Sequence, residues 1–336
     1  MNRREFVTLG TASAFVGAAG ASAEKALRPR PCDAFDAAVA TIDATTPGDE
    51  VARKDALAVI QREIAAMGRK EPYNAFLRGG LSLPAEEVAA IHAAYPPLKW
   101  YDHAFDKVLR EFQETKVDGD IPAVWYVYNM GIVVKTAASA FSIDLCHRKA
   151  PHFAPFLDFA LITHNHGDHF TQAFVSAMGR AKKPVMSNFI LMWDSYSRLE
   201  RETKKFKNVT VTGIAADHNK HLPKAVTCFE CRMPKRDGGE FTLFHSGDCC
   251  RADHLAPSVK EPDIYFGHCA IGLDFKTAWK TTMPAKLMVP LHHQELGHLG
   301  GPWRCVGFDQ EPRHVIDALR PLGARVMMPV WGDRIV

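Results

Sequence analysis

The sequence predicts a mixed α/β protein with a helical N-terminal extension. Three observations carry that expectation. Apolar residues recur at helical spacing between residues 51 and 114. From Ala123 onward the pattern changes to short β-branched and aromatic runs, separated by Gly, Asn and Asp. One such run, Phe159-Ala160-Leu161-Ile162, leads directly into a histidine-rich turn. With 336 residues and 47% hydrophobic content, the chain can bury a sizeable core in one large domain or two.

Residues 1–23 read as a twin-arginine signal. Arg3-Arg4 precedes the bulky Phe6, a mild apolar run follows, and Ala21-Ser22-Ala23 fits a small-residue cleavage site. The run is too short, and too rich in small residues, for a stable membrane span. The expectation is a periplasmic protein, exported already folded by the twin-arginine machinery. Folding in a reducing compartment leaves the eight cysteines free of any need for disulfides. Cys228-x-x-Cys231 has no second CxxC and lies in a strand-like run, which favours ordinary strand cysteines over half a zinc knuckle. Cys249-Cys250 reads as packing rather than ligation.

Residues 24–118 read as helical. Residues 51–67 are amphipathic. Pro84 and the acidic pair Glu86-Glu87 start a second helix that ends near Tyr95. Residues 100–114 make a third, carrying Tyr101, Phe105, Val108, Leu109 and Phe112. No chemical motif falls here. The aromatics fit core spacing, so a structural cap is favoured over a lid or a dimer surface.

Residues 119–336 hold the strands. A hairpin-like pair, 123–128 and 131–135, turns through Asn129-Met130-Gly131. Strands follow at 141–144, 159–162, 184–187 and 209–216, with helices at 170–179 and 193–205. Residues 228–232 and 241–244 pair across Arg236-Asp237-Gly238-Gly239. Strands at 263–267 and 286–291, a helix at 315–319 and a closing strand pair, 324–329 and 331–335, complete the chain.

The chemistry concentrates in Thr163-His164-Asn165-His166-Gly167-Asp168-His169. Residues i and i+2 of an extended chain point to one side, so His164 and His166 can share one ion. Gly167 is expected to let the backbone turn sharply. Asp168 and His169 can then address a second ion. Imidazole and carboxylate together suit zinc, and also iron or manganese. The bland alternative is a His-rich surface loop, and the strand directly before it argues against chance.

His164-x-His166-x-Asp168-His169 resembles the signature of the metallo-β-lactamase superfamily. The resemblance covers roughly residues 123–336. It implies a four-layer αβ/βα sandwich with a one- or two-metal site at one edge of its paired sheets. It also implies a third histidine after a strand, which His218 fits, with His221 as a rival. Gly247-Asp248 resembles the bridging aspartate, and Val289-Pro290-Leu291-His292 the segment giving the last ligand. His293 then falls where substrate is oriented, and Asp144 where a carboxylate supports the loop without ligating. His245 and His268 depart from the pattern; His245 reads as a support or a substrate contact. The Val-Pro-Leu-His step and the closing strands resemble one branch, the ascorbate-phosphate lactonases and the N-acyl-phosphatidylethanolamine-hydrolysing phospholipase D.

The resemblance implies two divalent metal ions, zinc first. His164, His166 and His218 would hold one, Asp168, His169 and His292 the other, with Asp248 between. A metal-bound hydroxide would cleave an ester, lactone or phosphodiester of a small-molecule or lipid-like substrate, Asp168 acting as the catalytic carboxylate. An inactive metal-binding member of the same fold is the alternative. A nuclease is disfavoured by the near-balanced charge of +3 and by export. An oxygen-reducing di-iron relative would carry Glu where His166 stands. No Gly-x-Ser-x-Gly competes for the chemistry. The sequence specifies neither the substrate nor the oligomeric state.

Overall fold

The computed structural model describes residues 33–78, 80–190, 200–281, 284–301 and 305–336. The expected signal segment, Cys32 and the first part of the expected helix 193–205 lie outside the described residues.

Five helices open the described chain: α1 (Asp33–Asp43), α2 (Glu50–Ala66), α3 (Asn74–Arg78), α4 (Ala85–Ala94) and α5 (Pro96–Glu114). The last starts earlier than its apolar pattern suggests. Pro96 and Pro97 occupy its first turn, where proline's missing N–H removes nothing and its fixed φ already suits a helix. Trp100, Tyr101, Ala104, Phe105, Val108 and Phe112 form its buried stripe. Trp100 stacks on Trp331 with ring centroids 4.5 Å apart, and Tyr101 meets Tyr128 edge-on at 4.9 Å. Each fully buried aromatic stabilises the fold by roughly 2–3 kcal/mol. A buried ion pair, Arg53 to Asp333 at 2.8 Å, ties α2 to the C-terminal segment. The helical region therefore shares one hydrophobic core with the rest of the chain.

Two sheets follow. The first takes β1 (Ala123–Tyr128), β2 (Gly131–Lys135), β3 (Ala140–Ile143), β4 (Phe159–Leu161) and β5 (Val185–Met186) in sequence order. Its first three strands are antiparallel and β3, β4 and β5 are parallel. The second is ordered β11-β10-β9-β8-β7-β6, from β6 (Arg201–Phe206), β7 (Val209–Ala216), β8 (Val226–Pro234), β9 (Glu240–His245), β10 (Ile264–His268) and β11 (Leu287–Leu291). Most strands are buried along their whole length, so both faces of each sheet are covered. Three further helices, α6 (Gln172–Arg180), α7 (Phe275–Thr281) and α8 (Glu311–Leu319), accompany them. The architecture is the mixed α/β class expected, with two sheets and N-terminal helices.

Strand direction sets where the loops gather. β8 is antiparallel to both β7 and β9, while β9, β10 and β11 are mutually parallel. Strands β7, β9, β10 and β11 therefore all end at the same edge of their sheet. The loop after β4 comes to that edge from the other sheet, where Thr227 N–H donates to Thr163 O at 2.8 Å.

Two expectations are corrected. Residues 201–206 are a strand, not the end of a helix. Arg201–Phe206 pairs with β7 through a tight turn at Lys207, whose φ is +52°, and its charged residues suit an exposed edge. Sheet pairing has overridden helical propensity. The closing segments do not pair with each other. Val326 bridges Met288 at the β11 edge, and Arg334 bridges Trp125 at the β1 edge, so the chain end straps the outer strand of each sheet.

Candidate metal centre

All seven residues proposed as ligands meet at that shared edge. His164, His166, His218 and Asp248 each place a ligand atom within 4.8 Å of the others, and so do Asp168, His169 and His292. Asp248 lies between the two sets. Its Oδ2 is 3.3 Å from His218 Nε2 and 3.6 Å from His164 Nε2, and its Oδ1 is 3.1 Å from His169 Nε2. The His164 and His166 rings lie 4.5 Å apart, as i and i+2 spacing requires.

The expected role of Gly167 does not hold. Its φ is not positive, and a Cβ there would meet nothing within 4 Å. The turn closes instead through His169 N–H donating to His166 O at 3.1 Å, a geometry open to any residue. Gly247 is the glycine that matters. Its φ is +49°, and a Cβ would fall 2.8 Å from Thr163 Cβ and 2.9 Å from Val226 Cγ1.

Hydrogen bonds to the far ring nitrogens fix the tautomers of His164 and His169. Asp144, at φ +47°, accepts from Thr163 N–H at 2.8 Å and from the Thr163 hydroxyl at 2.7 Å. It also accepts from His169 Nδ1–H at 2.8 Å, which leaves His169 Nε2 as a lone pair facing the site. The Thr163 hydroxyl has given its hydrogen to Asp144, so it accepts from His164 Nδ1–H at 3.0 Å and frees His164 Nε2 in the same way. Asp144 thus supports the loop without ligating. His292 has φ +67°, and its N–H donates to Asn129 O at 3.0 Å. Asn129, itself at φ +56°, donates from Nδ2 to Asp168 O at 2.9 Å. Such left-handed residues cost of order 1 kcal/mol each, a strain that packing at functional sites commonly sustains.

The donor set fits cations. His164 Nε2, His169 Nε2, His218 Nε2 and Asp248 Oδ1 are buried and have no hydrogen-bond partner. Leaving four such atoms in a protein interior is costly unless something charged satisfies them. Titration points the same way. Burial, and then the neighbouring His169, hold the His164 imidazole well below its usual range. Burial and His218 lower His166. Burial opposes charge on His169 too, but Asp248, Asp168 and Asp144 outweigh it and raise that ring well above the ordinary value. Burial also works against the Asp168 and Asp248 carboxylates, yet His169 and its neighbours hold both far below the carboxylate range. Without metal, protons on His169 and His292 supply the positive charge that these carboxylates demand.

The remaining histidines sort by position. His221 is exposed and belongs to none of the ligand groups among the described residues, so the rivalry resolves to His218. His293 corrects the expectation of a substrate contact. It is wholly buried between Tyr126 and Phe308, and burial drives its pKa to about 3. His245 is a support: Gly247 N–H donates to its Nδ1 at 3.1 Å, and its Nε2–H donates to Met130 O at 3.0 Å. Sequence reasoning left His268 unassigned. Its Nε2 is 3.7 Å from Asp248 Oδ2, and its ring stacks on His292 at 3.9 Å. Ala270 N–H donates to its Nδ1 at 3.0 Å, so the neutral ring carries its hydrogen on Nε2. In that tautomer His268 aims a donor at the centre, and its position also groups it with Asp248 and His292 as a ligand-type side chain. The residue sits at the end of β10, parallel to the strands that deliver Asp248 and His292, but only the register reveals this. Cys228 and Cys231 are buried strand residues on opposite faces of β8, and the cysteines of the described residues are free.

No protein-family model matches the chain, and no curated protein sequence matches it. The chain is similar to solved metalloproteins. One is a metallo hydrolase from the archaeon Ignicoccus hospitalis KIN4/I, with 15% identity over 64% of this chain and 97% of that one, and a TM-score of 0.47. A diiron beta-hydroxylase from Streptomyces venezuelae has 13% identity over 63% of this chain and 53% of its own, with a TM-score of 0.43. A putative zinc-dependent hydrolase of the metallo-beta-lactamase superfamily from Thermotoga maritima has 12% identity over 62% and 98%, with a TM-score of 0.38.

Proposed function

We propose that this chain is a dinuclear metal-dependent hydrolase that cleaves an ester, lactone or phosphodiester bond. One observation carries the reading. Seven ligand-type side chains from four separate loops converge, and the buried nitrogens of three of them have no partner. His164, His166 and His218 would hold one cation, Asp168, His169 and His292 the other, and Asp248 would serve both. When bound, two divalent cations supply positive charge and acidify a water molecule.

The chain's own residues do the rest. Asp168 is held as an anion, anchored through Asn129, with Oδ2 at 3.2 Å from His292 Nε2. It takes the water's proton and returns it to the leaving group. His268 Nε2–H, fixed by the Ala270 amide, donates to the oxygen that gains charge. The ordered loops hold these groups before substrate arrives, which removes reorganisation from the reaction step. Zinc suits the donor set, as do iron and manganese.

Export is part of the same proposal and rests on Arg3-Arg4 and Ala21-Ser22-Ala23. No helix among the described residues is long and apolar enough to cross a membrane. Mass analysis of the exported protein tests this part, with Glu24 as the expected first residue.

The test of the function is metal analysis joined to a hydrolase panel on purified full chain. The expected result is two equivalents of transition metal and metal-dependent turnover of at least one ester, lactone or phosphodiester. His166→Ala should lose one equivalent. Absence of metal from the wild type, or full metal in His166→Ala, overturns the site. Two bound metals without turnover on the panel would leave a metal-binding protein that does not catalyse.

A further inference from the structure

His298 is a histidine at the centre that the ligand sets do not use. Its Nε2 lies 3.7 Å from Asp168 Oδ2, and its ring is 5.6 Å from that of His292. Its side chain is 20% exposed, whereas those of His164, His169 and His292 are at most 5% exposed. It therefore presents one flank to the metal-side carboxylate and the other to the solvent from which a substrate arrives.

The segment that carries it is built to a narrow tolerance. Glu295 caps the short 3-10 turn Leu296–His298, its Oε2 accepting from His298 N–H at 2.8 Å. Its other oxygen accepts from the Tyr128 hydroxyl at 3.0 Å, and that hydroxyl accepts from Leu296 N–H at 2.8 Å. Gly297 has no room for a side chain, because a Cβ would sit 2.8 Å from Glu295 Oε1.

The other wall comes from the helical extension. Just past α2 the chain turns through Gly68, at φ +68°, and presents Arg69 and Lys70. The Lys70 ammonium donates to Gly297 O. Gly300, also at φ +68°, abuts Arg69 so closely that a Cβ would fall 2.8 Å from Arg69 Cα. From α2 itself, Gln61 Oε1 accepts from Phe308 N–H at 2.8 Å, which ties down the chain beyond the loop. These contacts join residues more than 220 positions apart in sequence, and they bracket the segment that carries His298.

We propose that His298 is a substrate-positioning residue, and that the Arg69–Lys70 turn of the helical extension sets its place. The imidazole would hydrogen-bond an oxygen of the bound substrate beside Asp168, an ester carbonyl or a phosphoryl oxygen. This gives the extension a role in specificity as well as in the core. The inference rests on the hydrolase reading for its kinetic test and on the metal site alone for its binding test.

The experiment compares wild type, His298→Ala, His298→Gln, Lys70→Ala and Lys70→Arg as metal-loaded full chains. Metal content is measured first, then KM and kcat on a chromogenic ester and a chromogenic phosphodiester. His298→Ala should keep two metals, raise KM about tenfold on a substrate that turns over and change kcat less than threefold, the loss expected of one hydrogen bond to substrate. His298→Gln should recover part of the loss. Lys70→Ala should shift KM in the same direction by a smaller factor, and Lys70→Arg should restore it. Loss of a metal equivalent from His298→Ala, or an unchanged KM, overturns the role of His298. A shift with His298→Ala but none with Lys70→Ala overturns the role of the extension. If the wild type binds metal but turns over neither these probes nor any member of the ester, lactone and phosphodiester panel, the hydrolase reading fails by itself. The inference is then decided by titration of inorganic phosphate into the metal-loaded proteins, where His298→Ala should bind about tenfold more weakly and equal affinity sinks it.

Discussion

Replacing Asp144 by Asn tests whether the far side of the site governs the near side. Asp144 is fully buried and accepts three hydrogen bonds, two from Thr163 and one from His169. Asparagine is the same shape but offers one acceptor oxygen and one donor amide. If the amide faces Thr163 N–H, two donors oppose each other. If it faces His169, Nδ1 must accept, the ring hydrogen moves to Nε2, and a ligand atom is lost. Either arrangement leaves at least one buried polar group unsatisfied, so the metal-free protein should lose about 1–3 kcal/mol. The cation held by His169 should bind 10–100-fold more weakly, the usual cost of removing a supporting carboxylate. Chemical denaturation of metal-free protein reads the first effect. Competition with a chromophoric chelator reads the second, and one equivalent should weaken far more than the other. Two equivalents held with wild-type affinity would refute the argument that Asp144 sets the His169 tautomer.

Other outcomes follow from the same geometry. Gly247→Ala should abolish or sharply weaken binding of both metals, because its Cβ would displace Thr163 or Val226 beside the shared Asp248; retention of both equivalents counts against it. His218→Ala should lose one equivalent while His221→Ala loses none, measured by elemental analysis on matched preparations. Away from the site, Asp102→Ala should cost about 3–5 kcal/mol at pH 7, since it removes the carboxylate to which the buried Arg148 guanidinium donates. Burial opposes the Asp102 carboxylate, but His92 and Arg148 hold its pKa well below the ordinary value. A depressed carboxylate contributes its stability above the unfolded pKa and loses it as pH falls towards the folded one. The gap between wild type and Asp102→Ala should therefore narrow steadily below about pH 4; a gap independent of pH in urea melts would show that the carboxylate's charge is not what stabilises the pair.

Much of this protein is written locally. The strand before Thr163 and the spacing of His164, His166, Asp168 and His169 need only the two-residue period of an extended chain to suggest a shared ion. The helices at 51–67 and 100–114 declare themselves through a 3.6-residue apolar repeat that must be buried somewhere. The extra strand at 201–206 is different, because a strongly charged edge strand acquires its conformation only from pairing with β7. Residue type and spacing by themselves do not separate the histidines at 245, 268, 293 and 298. The fold separates them: one under the loop, one aimed as a donor, one sealed between Tyr126 and Phe308, and one held at the rim by Lys70. Hydrogen-bond partners and burial determine what an imidazole does, and both are contributed by residues that are near only after folding. Residue type and local spacing determined by themselves that ligand-type side chains crowd the loop after β4. Which nitrogens face the centre, and that a helix turn more than 220 residues upstream of His298 braces the rim, were decided by tertiary contacts alone.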